Sequence, residues 1–146
     1  MSAISEKVRV ALYAKLNVSG VTTLATGGVH ESVAPDEVSL PYVIFARQGS
    51  SPITYSMGST SPTQQLESDL WLIKAVTDED SATSKSGQGL GEEILAACIT
   101  ALGTSLTLSG NTAVWYARFS DMPSYQEMVN DRWIYHRGML WQIAVT

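Results

Sequence analysis

The chain has 146 residues, of which 45% are hydrophobic and 16% are charged, and its formal net charge is −5. This length fits one domain with one hydrophobic core. The nine Lys and Arg residues are scattered along the chain, which disfavours a general nucleic-acid binder, because such a protein needs clustered basic residues. The low charged fraction leaves much neutral surface, which is typical of contact with other proteins.

The single cysteine, Cys98, excludes an internal disulfide, and its apolar helical surroundings predict a buried thiol. Residues 94–117 contain no charge, but glycine, serine and asparagine interrupt the stretch, so it is not expected to span a membrane as a helix. Glu6 and Lys7 occupy the place where a signal peptide has its apolar centre. We therefore expect a soluble protein made in a reducing compartment, without a secretion signal.

The first predicted element is a helix over residues 3–17. Apolar side chains recur there at steps of four: Ile4, Val8, Leu12 and Leu16. This spacing places them on one helical face, and Ser2 is suited to cap the helix N-terminus. A short helical turn over 21–24, a brief strand over 29–33 and a loop over 34–37 are expected to follow.

Two strands are predicted next, over residues 42–48 and 65–76. On the second, Glu67 and Asp69 alternate on the same face as a Trp-Ile-Ala run, so this face should be wet at one end and covered at the other. Between the strands, residues 49–65 read GSSPITYSMGSTSPTQQ, without a charge. A hairpin needs only about two to five connecting residues. The excess length predicts a long extended arm between the two strands.

A second long helix is predicted over residues 81–102. Asp78, Glu79 and Asp80 precede it, as acidic residues favourably do at a helix N-terminus, and Gly103 is suited to end it. Its apolar stripe again steps by four: Leu90, Ile94, Cys98 and Leu102.

The C-terminal part is predicted to form three strands. Residues 106–108 and 113–119 should pair across the turn at 109–111, and Asn130-Asp131 should form a turn before a long strand over 132–145. The odd-numbered positions of that last strand are the more apolar, so they should face the helices. The expected fold is a single α+β domain over 1–146, with a mostly antiparallel or mixed sheet, two main helices on one face and the extended arm.

No catalytic, metal-binding or cofactor-binding pattern is found in the sequence. The glycine-rich stretch 86–91 lacks the Lys-Ser/Thr end of a phosphate loop, and a calcium loop starting at Asp78 would lack its glycine and its final carboxylate. His30 and His136 have no zinc-ligand spacing. No serine lies in a Gly-x-Ser-x-Gly turn, although a Ser-His-Asp triad stays open because its members meet only in space. We therefore predict a protein that is not an enzyme.

Five residues are candidates for contact with other subunits. Ile53, Tyr55 and Met57 alternate in the arm, so they would share one face of an extended segment and could order against a neighbour; the alternative is a plain flexible loop. The four tryptophans fall on predicted strands, where core packing is the simpler explanation. Trp115, next to Tyr116 on a shorter strand, is the best candidate for an interface role.

The order of these pieces is similar to a known family. The pieces follow one another in this order: a helix with VRVALYAKLN, the loop GGVHESVAPDEVSLPYVIF, the strand LESDLWLIKAVTDED, a helix ending EEILAACITAL, the Gly-capped SLTLSGNTA and a long final strand bearing Arg137. This order resembles the tail-terminator (tail-completion, minor tail) proteins of long-tailed bacteriophages. The most specific element is Val33-Ala-Pro35 leading into Leu40-Pro-Tyr-Val-Ile44. The long Ser- and Thr-rich arm departs from the family pattern.

The resemblance implies an α+β subunit that forms a homo-hexameric ring on the head-proximal end of the phage tail tube. Such a ring stops tail polymerisation and joins the tail tube protein to the head connector or completion protein, while DNA passes through its channel without sequence-specific binding. It implies a virion protein assembled in the host cytoplasm, with no catalytic residues, cofactor or membrane contact. Some of five acidic residues are expected to line the channel: Glu67, Asp69, Asp78, Glu79 and Asp80. The alternatives are another neck or tail component, such as a head-completion, connector or tube protein, and a small-molecule-binding domain.

Overall fold

The computed structural model describes residues 3–35, 38–55, 64–78 and 87–146. Within these ranges the chain forms three helices and six strands. Their bounds in chain order are α1 (Ala3–Leu16), α2 (Ser19–Thr22), β1 (Val29–Glu31), β2 (Tyr42–Tyr55), β3 (Gln64–Asp78), α3 (Gly87–Leu102), β4 (Ala113–Asp121), β5 (Tyr125–Val129) and β6 (Arg132–Val145). No helix of the described ranges has the length and apolar character that crossing a membrane requires.

The six strands form one mixed sheet in the order β1-β2-β3-β6-β4, with β5 also paired to β6. Only β1 and β2 run parallel; the other pairs are antiparallel. β5 pairs with residues 132–136 of β6 and β4 with residues 139–145, so the two strands follow each other along β6. The predicted α+β class with a mostly antiparallel, mixed sheet is confirmed.

The hydrophobic core lies between the helices and one face of the sheet. The register pairs Trp71 with Trp141 and Ile73 with Met139, which places the odd-numbered positions of β3 and β6 on the same face. These side chains are buried with the apolar stripes of α1 and α3. The odd face of β6 therefore packs on the helices as predicted, except for Trp133, which is exposed near the start of the strand.

The structure confirms the buried thiol and the C-terminal cap of the second long helix that the sequence predicts. Cys98 is fully buried, and desolvation raises its pKa to about 12. Gly103 has φ +66 and its N–H donates to the carbonyl of Ile99, so it caps α3 as predicted. The start predicted for this helix at 81–86, the loop residues 36–37 and the Ser2 cap lie outside the described residues.

The strands on either side of the predicted arm are longer than the sequence indicated. β2 continues to Tyr55 and β3 begins at Gln64, with a register shift between Arg47 and Gly49. Residues 49–55 are extended, as expected of the arm, but they are also paired with β3. Backbone hydrogen bonds do not require an apolar pattern, so the Ser- and Thr-rich composition concealed the pairing.

Beyond the sheet, β2 and β3 form a two-stranded ribbon of residues 53–55 and 64–66. Its pairs run from Ile53↔Leu66 to Tyr55↔Gln64, whereas the pairing of β3 with β6 ends at Glu67↔Val145. Among the described residues no third strand pairs with the ribbon. The ribbon therefore extends past the end of the sheet.

Two predictions for the C-terminal part are wrong. Residues 106–108 form no strand; only an isolated bridge joins Thr107 to Thr112. Conversely, β5 was not predicted. Its five residues are all exposed, so no alternation of buried and exposed side chains marks it. The turn between β5 and β6 is confirmed, because Asn130 and Asp131 have φ of 50 and 62, as a two-residue hairpin turn requires.

The close approach of α3 to β6 yields a prediction. A Cβ on Gly87 would lie 2.1 Å from Cδ2 and 2.9 Å from Cγ of the Tyr135 ring, so the whole ring would have to move. We expect Gly87→Ala to lower the free energy of unfolding by roughly 1–3 kcal/mol in urea denaturation, despite the better helix propensity of alanine. Gly20→Ala is the control, because a Cβ there meets nothing within 4 Å. Equal stability of both variants would contradict the packing.

Candidate interaction surfaces

The face of the sheet opposite the helices, here called the open face, carries apolar side chains that are not part of the core. The register places Ala46, Leu72 and Leu140 in one row across β2, β3 and β6. These three side chains are half-buried, and the hydrophobic core cluster contains none of them. The centre of the open face is thus an apolar row that the helices do not cover.

Exposed aromatic and apolar residues continue this surface along the β4 edge. Trp115 is 56% exposed and pairs across to Ala144, which places it on the open face, and Phe119 is 60% exposed at a register shift in β4. Among the described strands, β4 ends the sheet. An exposed apolar edge strand is a site for contact with another chain. The exposure of Trp115 suits the interface role predicted for it, which stays a prediction.

Tyr116, its neighbour, points to the opposite face. Its ring centroid lies 5.0 Å from that of Trp141, and its hydroxyl donates to the carbonyl of Leu102 at 2.9 Å. Burial raises the pKa of Tyr116. The structure therefore separates the two residues that the sequence grouped: Trp115 is exposed, whereas Tyr116 joins β4 to α3. The interface role predicted for Tyr116 stays a prediction.

The arm residues are only partly described. Ile53 and Tyr55 occupy alternate positions of β2 in the ribbon, opposite Leu66 and Gln64. Met57 lies outside the described residues. Their proposed contact with a neighbour is not tested by a single chain.

The acidic residues predicted to line a channel fall into different environments. Asp69 is 1% exposed, so its carboxylate does not reach the surface of the subunit. The solvent-exposed end predicted for this face of β3 is therefore buried at Asp69. Burial is the main cause of a raised pKa for Asp69. Glu67 is partly exposed at the base of the ribbon, and Asp78 forms an ion pair with Arg132. Glu79 and Asp80 lie outside the described residues.

A polar group on the open face was missed in the sequence because β5 was missed. His136 is buried, and its Nε2 lies 2.7 Å from Oε1 of Glu127 on β5. The imidazole stacks on the ring of Tyr125 at 4.3 Å, and Lys74 Nζ lies 3.5 Å from the Tyr125 hydroxyl. Desolvation lowers the pKa of His136, with the charge of Lys74 acting in the same direction and Glu127 opposing it. The described part of the chain contains no group of three His, Cys, Asp or Glu residues placed to hold a metal ion.

A groove of about 520 Å³ lies between α1 and the segment that follows α3. Its walls include Ala11, Ala14 and Leu106. The Lys15 ammonium at its border donates to the carbonyl of Ser105 at 2.7 Å and is already engaged. Small-molecule sites usually combine apolar walls with a few convergent polar groups. This groove has mainly apolar walls and therefore matches only the first of these two features.

The buried imidazole predicts a pH dependence of stability. Because the folded-state pKa of His136 lies below its ordinary 6.5, the unfolded chain binds the proton first as the pH falls. We expect the free energy of unfolding to decrease as the pH drops from 6.5 towards the lowered pKa, and to be insensitive to this group above 6.5.

Urea denaturation across this pH range tests the expectation. His136→Gln should remove the dependence of the free energy of unfolding on pH. The control His30→Gln, which changes the middle residue of β1, should retain it. An unchanged slope in His136→Gln would show that another group titrates.

Comparisons with known proteins identify a solved structure that shares this fold. No model of a known protein family matches the sequence, and no curated protein matches it. Among solved structures, a chain described as part of the virion of a native gene transfer agent particle shares the fold, with a TM-score of 0.68 and 18% sequence identity. The match covers 99% of this chain and 98% of that one. The likeness therefore extends over the whole fold described above.

Proposed function

We propose that the chain is a virion structural protein that works by contact with copies of itself and with other virion proteins. The observation that carries the proposal is the end-to-end match in fold, at a TM-score of 0.68, with a chain of a gene transfer agent virion. The apolar open face and the exposed β4 edge support it, because surfaces of this kind are typical of protein contact.

Within this class we propose the role of a tail terminator. In this role a homo-hexameric ring caps the head-proximal end of the phage tail tube, stops its polymerisation and provides the joining surface for the head connector or completion protein. DNA passes through the ring without sequence-specific contact. The order of sequence motifs supports this choice, and the scattered basic residues agree with a channel that does not grip DNA.

The ribbon is the proposed fastener between neighbours. A two-stranded hairpin is at best marginally stable in water on its own, so the ribbon gains stability when it packs on another surface. The stretch 49–65 has no charge, and burying it therefore avoids the large cost of desolvating ions. Ile53, Tyr55 and Met57 are the proposed anchors.

The ring also requires two unlike surfaces on each subunit. The ribbon extends from β2 and β3, whereas Trp115 lies on β4, the strand that ends the sheet on the other side. Contact between two different patches is heterologous, and it closes into a ring when the rotation between copies allows. We propose that Trp115 contributes to the second patch.

The channel is the least defined part of the proposal. Glu67 and Asp78 keep exposed carboxylate surface, and Glu79 and Asp80 follow Asp78 in the sequence. We propose these four as channel-lining candidates, because an acidic wall repels the DNA backbone. Asp69 is omitted because it is buried.

A second candidate is another neck or tail component, such as a head-completion, connector or tube protein. The virion likeness supports it equally well, and the two roles differ in the phenotype of a knockout. A small-molecule-binding domain, by contrast, would be a monomer whose melting temperature rises with a ligand.

Shortening the ribbon tests its role in assembly. Replacing residues 53–66 by Asn-Gly leaves a two-residue turn between Pro52 and Glu67, which are already paired, and Asn-Gly suits such a turn. We expect this variant to keep its circular dichroism spectrum and to lose ring formation, measured as mass by light scattering in the presence of tail tubes. Rings of unchanged mass would remove the role assigned to the ribbon.

Trp115→Ala tests the second patch. A central tryptophan commonly contributes 2 kcal/mol or more to an interface, so we expect subunit association to weaken by roughly 30-fold or more. The fold should be nearly unaffected, because the side chain is exposed. Val33→Ala is the matched control, since Val33 is 77% exposed and lies outside both patches. Equal association of the two variants would exclude Trp115 from the interface.

Electron microscopy of particles lacking the protein separates the terminator from the other neck roles. Loss of a terminator should give overlong tails, because nothing stops tube growth. Tails of normal length that fail to join heads would favour a completion or connector protein instead.

A further inference from the structure

Two carboxylates of β3 meet a single buried hydroxyl at the base of the ribbon. Ser5 Oγ, on the first turn of α1, lies 3.0 Å from Oε1 of Glu67 and 3.0 Å from Oδ2 of Asp69. Ser5 and Asp69 are both buried. Both distances are those of O–H···O hydrogen bonds.

Counting hydrogens shows that one added proton would give each contact a hydrogen of its own. Ser50 Oγ also donates to Oε1 of Glu67 at 2.9 Å, so these hydroxyls and carboxylates make three short oxygen–oxygen contacts. Each serine hydroxyl has one hydrogen, and an ionised carboxylate has none. With both carboxylates ionised, the Ser5 hydroxyl would have to share its one hydrogen between two negatively charged oxygens.

Burial decides which carboxyl takes the extra proton. Asp69 is inside the fold whereas Glu67 keeps partial contact with solvent, and desolvation disfavours the charged form of a carboxyl. Asp69 is paired across to Ile143 of β6, which offers no compensating charge. Arg47 of β2 is the basic group beside it, but its Nε lies 3.7 Å from Oδ1 of Asp69 and neither atom makes a hydrogen bond.

We propose that Asp69 is a proton-binding site, in which its carboxyl holds a proton between Oδ2 and Ser5 Oγ while Glu67 stays ionised. Asp69 then donates to Ser5, Ser5 donates to Glu67, and Ser50 donates to Glu67. Each short contact has one hydrogen, and a single negative charge remains at the surface-facing end of the chain of hydrogen bonds.

The charged groups around the site act in the expected directions. Burial and the charge of Glu67 raise the pKa of Asp69, whereas Ser50, Ser5 and Arg47 lower it, and the raising causes prevail. On α1, Glu6 and Arg9 pair with each other, and Arg9 also pairs with Glu31 of β1. The strand β6 faces the two carboxylates with Ile143 and Val145.

The proton couples the first turn of α1 to the base of the ribbon. When it leaves, two carboxylates share one hydroxyl hydrogen and repel each other, so the contact between α1 and β3 weakens. The sign of the linkage is the reverse of the usual one for aspartate. Because the folded chain binds this proton more tightly than the unfolded chain, the stability contributed at low pH is lost as the pH rises from 3.8 through the raised pKa.

Carbon-13 NMR titration of the side-chain carboxyls in the wild-type chain tests the site directly and independently of any assembly. We expect Asp69 to titrate above its ordinary value of 3.8 and above Glu67, and the Ser5 amide shift to follow the same midpoint. A midpoint for Asp69 at or below 3.8, or below that of Glu67, would overturn the proposal.

Asp69→Asn supplies the second measurement, because its amide can donate to Ser5 as the protonated acid does. We expect the variant to be at least as stable as wild type at neutral pH and to lose the fall in stability with rising pH. Asp121→Asn removes the same charge from an exposed carboxylate of β4 and should keep that fall. An Asp69→Asn variant that retains the wild-type pH slope would contradict the site, and failure of this variant to fold leaves the titration of the wild-type chain decisive.

Discussion

The antiparallel pairing of β3 with β6 is the interaction on which the rest of the structure depends. These two strands lie at the centre of the sheet, and every other strand of the described sheet is connected to one of them: β1 and β2 to β3, and β4 and β5 to β6. Their helix-facing side chains, with Trp71 opposite Trp141, form the platform on which α1 and α3 pack. Without this register neither the ribbon nor the β4 edge would have a fixed position.

The same arrangement leaves the candidate interaction surfaces uncovered by the helices. Both long helices lie on one face, so the open face, the β4 edge and the ribbon remain available to other chains. The central row of the open face, Trp115 on β4 and the stretch 49–65 carry no charge, which matches the low charged fraction of the sequence. Such neutral surfaces suit the assembly proposed above, because little hydration has to be removed when they are buried.

The sequence predicted best what burial patterns control. The helical period of α1 and α3 and the long alternation of β6 were visible because one face of each is buried. Prediction from the sequence failed where burial produces no pattern. The strand β5 was missed because all its residues are exposed, and the pairing of the ribbon was missed because it is made by backbone groups. The link between Ser5 and the carboxylates of Glu67 and Asp69 joins residues more than 60 positions apart, and Asp69 was taken for a surface acid because aspartate usually is one. A register shift in β4 between Ala113 and Trp115 turns Tyr116 towards the helices, an orientation that strict alternation along the strand does not predict.

Cys98 gives the chain a practical property. The thiolate is the reactive form of cysteine, and this thiol is both enclosed in α3 and held protonated by its surroundings. Thiol-directed reagents such as maleimides therefore meet no competing native thiol in the folded subunit. A cysteine introduced on either side of a suspected subunit contact would be the sole site of labelling or cross-linking, so the neighbours of this chain in a particle can be mapped position by position without first removing the natural residue.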